Sequence, residues 1–393
     1  MKVWMLDPAA MSPHYNLSLI KALRAQGTDA QLLTSRFLHE DHVPLAEQYA
    51  QHIFFRPLEK WKTALHQRAW GRQIGRVVVY PLGLQKLWHM FRRNPPDILH
   101  VQWIFIPTLD RHIIRHLARS VPLVLTVHNP LLRHPHPTRQ GDLRSLYSTA
   151  SRVIVHTNQN RDILLKDARI DPQQVAVIPH GPLFEGHTIP NRAQARAELQ
   201  LTAEAQVILF FGLIKPYKGL IDLIMALSLL RKTVPNAHLL IAGKPHGSIE
   251  PYLQAIARHN LETATTLHTR FIPSSDVPKY FAASNVVCLP YHEASQSGVL
   301  MSAYHFGRPV IVTSVGGLPE SIEEDRNGYV VPPSDPKALA SALSKVLTNA
   351  TLQEAFGARS LELAQTRFSW SYAASLTQTV YEQAIATSTT TSR

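Results

Sequence analysis

The chain has 393 residues, 45% of them hydrophobic, with 40 Lys/Arg against 28 Asp/Glu, a formal net charge of +12 and one cysteine. That length and apolar content exclude a disordered chain and leave room for two ordinary domains, and the lone Cys288, set in an apolar run, excludes a disulfide framework and fits a reducing, cytoplasmic compartment. No apolar run approaches the roughly 20 residues of a spanning helix, and MKVWMLDPAA reaches Asp7 and Pro8 too soon for a signal-peptide core, so any membrane contact is expected to be peripheral.

In chain order, Lys2 to Leu6 predicts a buried strand, followed by the turn Pro8 to Tyr15, a helix over Leu17–Ala25 closed by Gly27, and a second strand at Ala30–Thr34. This βαβ start lacks the GxGxxG turn of a dinucleotide site, which argues against a nicotinamide or flavin oxidoreductase. Residues 35–94 read as one or two helices plus an excursion. Within them Lys60–Asn94 holds eight Lys/Arg and no acid, interleaved with Trp61, Trp70, Tyr80, Trp88 and Phe91. Such a stretch suits an anionic membrane face or an anionic acceptor, or else a solvated basic surface whose aromatics turn inward. Residues 1–190 carry 23 Lys/Arg against 13 Asp/Glu, and 191–393 carry 17 against 15, so the first half is the basic one. No zinc-ligand spacing or RNP-like motif accompanies the charge, and no nucleic-acid partner is expected.

Asp97–Phe105, Leu123–Val127, Val153–Val155 and Val175–Ile178 read as successive parallel strands, three of which end on a histidine: His128, His156 and His180. For any single one, a structural histidine bonded to backbone is the default, yet their shared placement points to a ligand-facing edge. Asn191–Leu199 is the expected linker. A second strand–helix series follows: Val207–Phe211, running into Gly212-Leu-Ile-Lys215-Pro-Tyr-Lys218-Gly219, then His238–Ala242, Leu267–Ile272, Val286–Pro290, Val310–Thr313 and Gly328–Val331, with three helical segments after them. Two alternating series predict two doubly wound Rossmann-like α/β domains facing across a cleft. Domain ranges of 1–186 and 187–369 are expected, with Thr387–Arg393 frayed.

The densest signal is residues 288–320, CLPYHEASQSGVLMSAYHFGRPVIVTSVGGLPE. A strand empties into the polar loop Tyr291–Ser297, a helix opens at Gly298, and a second strand ends on Gly316-Gly317. A helix N-terminus at the carboxyl edge of a parallel sheet offers free N–H groups to an anion, and Ser295, Ser297 and Gly298 are small enough for close approach. A phosphate or diphosphate pocket is one reading. An ordinary βαβ unit with tight turns is the other.

FFGLIKPYKGL at 210–220, LLIAGKP at 239–245, FIPSSDVPKYFAASNVVCLPY at 271–291 and SGVLMSAYHFGRPVIVTSVGGLPESI at 297–322, in that order and at family-like spacing, make the chain resemble a family-4, GT-B-fold glycosyltransferase over nearly its whole length. RVIVHT and VAVIPHG in the first half match in kind. The resemblance implies retaining transfer of a sugar from a nucleotide-diphosphate sugar to a glycan or lipid-linked acceptor, with no cofactor and no metal, in agreement with the absence of an Asp-x-Asp pair. It implies that Lys218 and helix N-terminal amides neutralise the leaving diphosphate. Leu213 stands at the family's arginine and Lys215 is its substitute. Gly212, Gln296, Ser297, Gly298 and Val299 then line the donor, the backbone at Phe271 and Ile272 neighbours the nucleobase, and the last helix, about 370–386, returns to the first domain. His128 matches the family's strand-end histidine, with Ser12, His14 and Tyr15 replacing a glycine-rich turn on the acceptor side. Both glutamates of the family's acidic motif are absent: Ala294 and Ser302 hold their positions, with Glu293 adjacent to the first and the Ser302 hydroxyl left as a ribose contact. That loss keeps a second class open, a binding or scaffolding protein on a degenerate transferase fold. A polysaccharide-assembly role, cytoplasmic and peripheral to the inner membrane face, is the family-level expectation.

Overall fold

The structure is a computed structural model and describes residues 1–36, 48–55, 69–130, 137–168 and 170–391. The chain forms two compact units, Met1–Pro179 with Trp370–Arg393, and His180–Ser369. Residues 180–186, expected at the end of the first domain, go with the second: Phe184 packs against its core, and the Leu183 side chain lies directly over Gly298.

In the first unit, strands β1 (Lys2–Asp7), β2 (Asp29–Ser35), β3 (Ala50–Phe54), β4 (Ile98–Val101), β5 (Leu123–Thr126), β6 (Arg152–Val155) and β7 (Val175–Val177) form one parallel sheet in the order β3-β2-β1-β4-β5-β6-β7. β3 lies in the stretch whose sequence promised only helix and excursion; AQHIF is too short for its period to stand out, and pairing with β2 supplies what propensity does not. The helix Ala69–Arg93 continues past Pro81 and buries Tyr80, Leu87 and Phe91. Trp88 is half-buried against the same core, so Tyr80, Trp88 and Phe91 of the basic stretch turn inward. Trp61 and the basic residues Lys60, Lys62 and Arg68 lie outside the described residues.

The final helix, Trp370–Thr391, packs on helix Pro13–Ala25 of this unit. Gln378 Nε2 donates to Thr28 Oγ1 (2.8 Å) and Gln26 Nε2 to the Ser371 carbonyl (2.9 Å). Helix persists through Thr387–Thr391, where fraying was expected. Thr387 and Ser388 donate their hydroxyls back to the Gln383 and Ala384 carbonyls (2.9 and 3.0 Å), which satisfies polar groups that would otherwise compete with the helix.

In the second unit, β8 (Gln206–Phe211), β9 (Ala237–Ala242), β10 (Thr265–His268), β11 (Val286–Leu289), β12 (Val310–Thr313) and β13 (Gly328–Val331) are parallel in the order β10-β9-β8-β11-β12-β13. Buried aliphatic side chains form a cluster on each face, with Leu209, Leu240 and Val287 in one and Ile208, Leu239 and Ile241 in the other. Each contributes about 1.5–3 kcal/mol on leaving water. Asn191, Asp335 and Asn349 cap helices by accepting backbone N–H groups. In each sheet the strand order reverses once, between β1 and β4 and between β8 and β11. The carboxyl ends flanking such a reversal leave a crevice where ligands bind. No described helix is long and apolar enough to cross a membrane.

Candidate functional site

In the second unit the reversal is flanked by the loop after β8 and the loop after β11. The first is tethered to β9: Gly212 N–H donates to the Ala242 carbonyl (2.9 Å) and Ile214 N–H to that of Lys244 (3.0 Å). It closes in a short 3-10 turn, Pro216–Lys218, and Gly219 at φ +67°. A Cβ on Gly219 would stand 1.8 Å from the Pro290 carbonyl oxygen, so only glycine lets the two loops touch here. Gly316 plays the same part on the other side, where a Cβ would lie 1.7 Å from the Ala294 oxygen.

This framing brings together several residues expected from sequence. The Lys218 ammonium lies 3.3 Å, and Val299 Cγ2 3.5 Å, from the point where a Cβ on Gly212 would be. Lys218 therefore sits at the crevice floor against the opening residues of helix Gly298–His305. The same ammonium lies 5.1 Å from the ring centre of Tyr291, a cation–π contact that fixes its place. Lys215, half-buried, lies over Tyr217 at 5.9 Å. The first N–H groups of helix Gly298–His305 have no intrahelical acceptor, and Ser297 at its N-cap makes no side-chain cap bond. One loop thus supplies the Lys218 ammonium, with Lys215 three residues earlier over Tyr217, and the other a positive helix end. That combination suits a diphosphate.

The remaining donor-side residues divide. Gln296 is half-buried beside His180, and its amide Oε1 is buried without a partner. Phe271 is half-buried, whereas the Ile272 side chain belongs to the core, so only its backbone is available. Leu213, at the arginine position, is exposed, and so is Glu293. Ala294 is buried in the core. Ser302 does not fit the ribose role expected of it: the residue is fully buried and its hydroxyl donates to the Gly298 carbonyl (2.8 Å) inside the helix.

In the first unit the crevice between β1 and β4 is lined by side chains in one connected set. Asp7, fully buried, accepts from Met11 N–H (3.0 Å), Ser12 N–H (3.1 Å) and Asn16 Nδ2 (2.8 Å) and so shapes the turn that takes the place of a glycine loop. Burial outweighs these bonds and raises its pKa. Trp103 donates Nε1–H to Ser12 Oγ (2.9 Å) and stacks on His128 at 4.8 Å and 6°. Gln102 Oε1 lies 2.9 Å from His128 Nε2, and His156 Nε2 lies 3.2 Å from His128 Nδ1. His156 Nδ1 faces the Ile178 carbonyl (2.8 Å), which can only accept, so in a neutral His156 the Nε2 is the acceptor and His128 Nδ1 the donor. With Gln102 Oε1 also accepting, the His128–His156 pair carries one extra proton; with that amide turned over, both rings are neutral.

His128 and His156 therefore meet, as their shared edge suggested, while His180 belongs to the second unit. Tyr15 is not an open acceptor-side residue. It is buried edge-on to His128 (4.8 Å) and Trp370 (5.0 Å) and tilted against His156 (5.4 Å), and burial raises its phenol pKa. Ser12, at the N-cap, and His14, in the first turn of helix Pro13–Ala25, are half-buried, the helix beginning inside the stretch expected to be turn. Beside His128, a cavity of about 250 Å³ is walled by Trp103, Phe105, Pro107, Leu143 and Tyr147. Asp110 shapes that wall by accepting from Phe105 and Ile106 N–H (2.7 and 2.9 Å), and burial pushes its carboxyl up to about 6. Asp7, Gln102, Trp103 and Asp110 escaped the sequence reading. The strand-end rule that found His128 would have found Gln102 and Trp103 after β4.

Two family models match the chain: Glycosyltransferase Family 4 over residues 14–181 and Glycosyl transferases group 1 over residues 205–349. The D-inositol 3-phosphate glycosyltransferase of Saccharomonospora viridis is 31% identical over 290 residues, 69% of this chain and 67% of that one. That of Mycolicibacterium gilvum is 29% identical over 280 residues, 68% of this chain and 62% of that one, so the match spans about two thirds of these relatives. Among solved structures, the sucrose-phosphate synthase of Thermosynechococcus elongatus aligns over 98% of this chain and 100% of its own with a TM-score of 0.75 and 20% identity. Anabaena Alr3699/HepE in complex with UDP-glucose aligns over 97% and 98% with a TM-score of 0.72 and 19% identity. At those identities the structures establish the fold, which is that of the GT-B glycosyltransferases. With the sequence match to the inositol phosphate enzymes, the conclusion is that this chain belongs to the family-4 glycosyltransferases.

Proposed function

We propose that the protein is a retaining, metal-independent glycosyltransferase that moves a sugar from a nucleotide-diphosphate sugar to a glycan or lipid-linked acceptor. The observation that carries this reading is the Lys218 ammonium beside Gly212 and Val299, where a cation and a helix N-terminus converge. In the proposed step the acceptor hydroxyl attacks the anomeric carbon on the face the diphosphate is leaving, and a diphosphate oxygen takes its proton. Lys215, Lys218 and the amides at Gly298 and Val299 hold the developing charge, the largest single catalytic contribution in such sites. His128 is oriented by His156 and stacked on Trp103, and a sugar or acceptor hydroxyl would reach its Nε2 by taking the place of the Gln102 contact. The complex of Anabaena Alr3699/HepE with UDP-glucose supports UDP-sugars as the first donors to try.

We also propose a peripheral membrane contact through helix Ala69–Arg93, which exposes Val77 (51%), Val78 (68%) and Leu82 (55%) and ends in the exposed Arg92 and Arg93. A second reading, a binding protein without turnover, is favoured by Ala294 and Ser302 being buried where the family keeps carboxylates. A screen of UDP-, GDP- and ADP-sugars followed by product mass decides between them. A glycosylated product supports the enzyme, and calorimetry that finds no donor bound, or a donor bound without product, supports the scaffold.

A further inference from the structure

The opposite edge of the second sheet carries a group of cations that the transfer site does not use. A cavity of about 330 Å³ opens at the amino ends of β11 and β12, lined by Arg192, Asn285, Arg308, Gln353 and Glu354. Arg308 donates Nε–H to the Phe306 carbonyl (3.0 Å) and Nη1–H to that of Ser284 (3.1 Å), which leaves Nη2 uncommitted. Behind it Arg196, 7% exposed, donates to the Ala283 and Ala203 carbonyls and to Asn285 Oδ1 (2.8 Å). Among the described residues no carboxylate forms an ion pair with Arg192, Arg196 or Arg308. Carbonyl oxygens orient a guanidinium without cancelling its charge, so the pocket keeps an excess of cations that burial makes costly. Burial, and then repulsion from Arg192 and Arg196, holds the Arg308 guanidinium down to about 10. Glu354 is the one acid lining the cavity, and it acts on Arg192 from beyond ion-pair range. The 16-residue helix Ala350–Gln365 begins on the cavity wall and adds its positive end.

We propose that this pocket binds the phosphate group of a small molecule, through Arg308 Nη2 and the Arg192 guanidinium, with Glu354 opposing. The site is separate from the diphosphate crevice, which lies at the carboxyl edge of the same sheet. The test titrates inorganic phosphate into the full chain carrying Lys218→Ala, which weakens binding at the crevice, with chloride holding ionic strength constant and calorimetry as the readout. Saturable binding in the millimolar range is expected. Arg192→Gln should weaken it about tenfold, the size of one charge-assisted hydrogen bond, and Glu354→Gln should tighten it severalfold by removing the opposing charge. Arg192 is exposed, so its variant should keep the fold, to be checked by its melting temperature. Heat that chloride reproduces at equal ionic strength overturns the proposal, as does an Arg192→Gln titration matching its parent. Weaker phosphate binding by Glu354→Gln would also overturn it.

Discussion

Lys218→Ala tests the diphosphate reading most directly. The substitution removes the ammonium that sits beside Gly212 and over the Tyr291 ring at 5.1 Å. A preorganised donor facing developing charge in a water-poor crevice contributes ~3 kcal/mol to the barrier, which converts to a fall in kcat/KM of roughly 150-fold. The lost cation–π contact contributes a further ~0.5–1 kcal/mol to stability, a melting shift of about 1–4 °C in a domain of this size. The two losses separate with Tyr291→Leu, which keeps the ammonium and removes the ring: kcat/KM should fall less than about tenfold while stability falls comparably. The assay is initial-rate sugar transfer to a defined acceptor, with denaturation run in parallel. Native-rate transfer by a folded Lys218→Ala protein would refute the electrostatic role of this loop.

Gly219→Ala should destabilise the second unit by about 2–3 kcal/mol in urea unfolding, since a Cβ at φ +67° would meet the Pro290 oxygen at 1.8 Å; an unchanged midpoint would show that the loops part freely. His100 is fully buried between Tyr381 Oη (2.6 Å) and Thr126 Oγ1 (2.7 Å), and burial pushes its pKa down to about 3. The unfolded chain therefore binds a proton that the folded chain refuses, so stability is full above about pH 6.5 and declines as pH falls toward 3, by up to ~1.4 kcal/mol per pH unit. His100→Gln should flatten that slope by up to one proton, and parallel slopes in denaturant titrations at pH 7, 6 and 5 would contradict the assignment. Arg92→Glu with Arg93→Glu should lower partitioning onto anionic vesicles at low salt about thirtyfold, at ~1 kcal/mol for each basic residue lost, and leave neutral vesicles unaffected. Equal pelleting of variant and parent would remove the electrostatic part of the membrane proposal.

What the residues reveal unaided follows how local each signal is. Alternating apolar runs and glycine turns give both strand series without long-range information, and the loops after β8 and β11 announce themselves because the crevice needs glycine, lysine and small residues close together in sequence. β3 stays hidden because five residues carry too short a period to compete with the surrounding helix-leaning text. Ser302 looks available in sequence, yet helix geometry turns its hydroxyl onto the carbonyl four residues back. The Asp7 anchor and the Gln102–His128–His156 set depend on strands far apart in the chain.

Composition and periodicity thus determined two parallel α/β domains, and the family resemblance carried by the ordered motifs implied Lys215, Lys218 and His128 as candidates. Tertiary structure alone decided that His156 orients His128, that Trp103 covers it, that Tyr15 is walled in, and that two arginines line a pocket at the far sheet edge with a third behind them. The reason is physical. Strand and helix formation respond to neighbours a few residues away, whereas a side chain's burial, tautomer and charge depend on groups that only the folded sheet brings within hydrogen-bonding or electrostatic range.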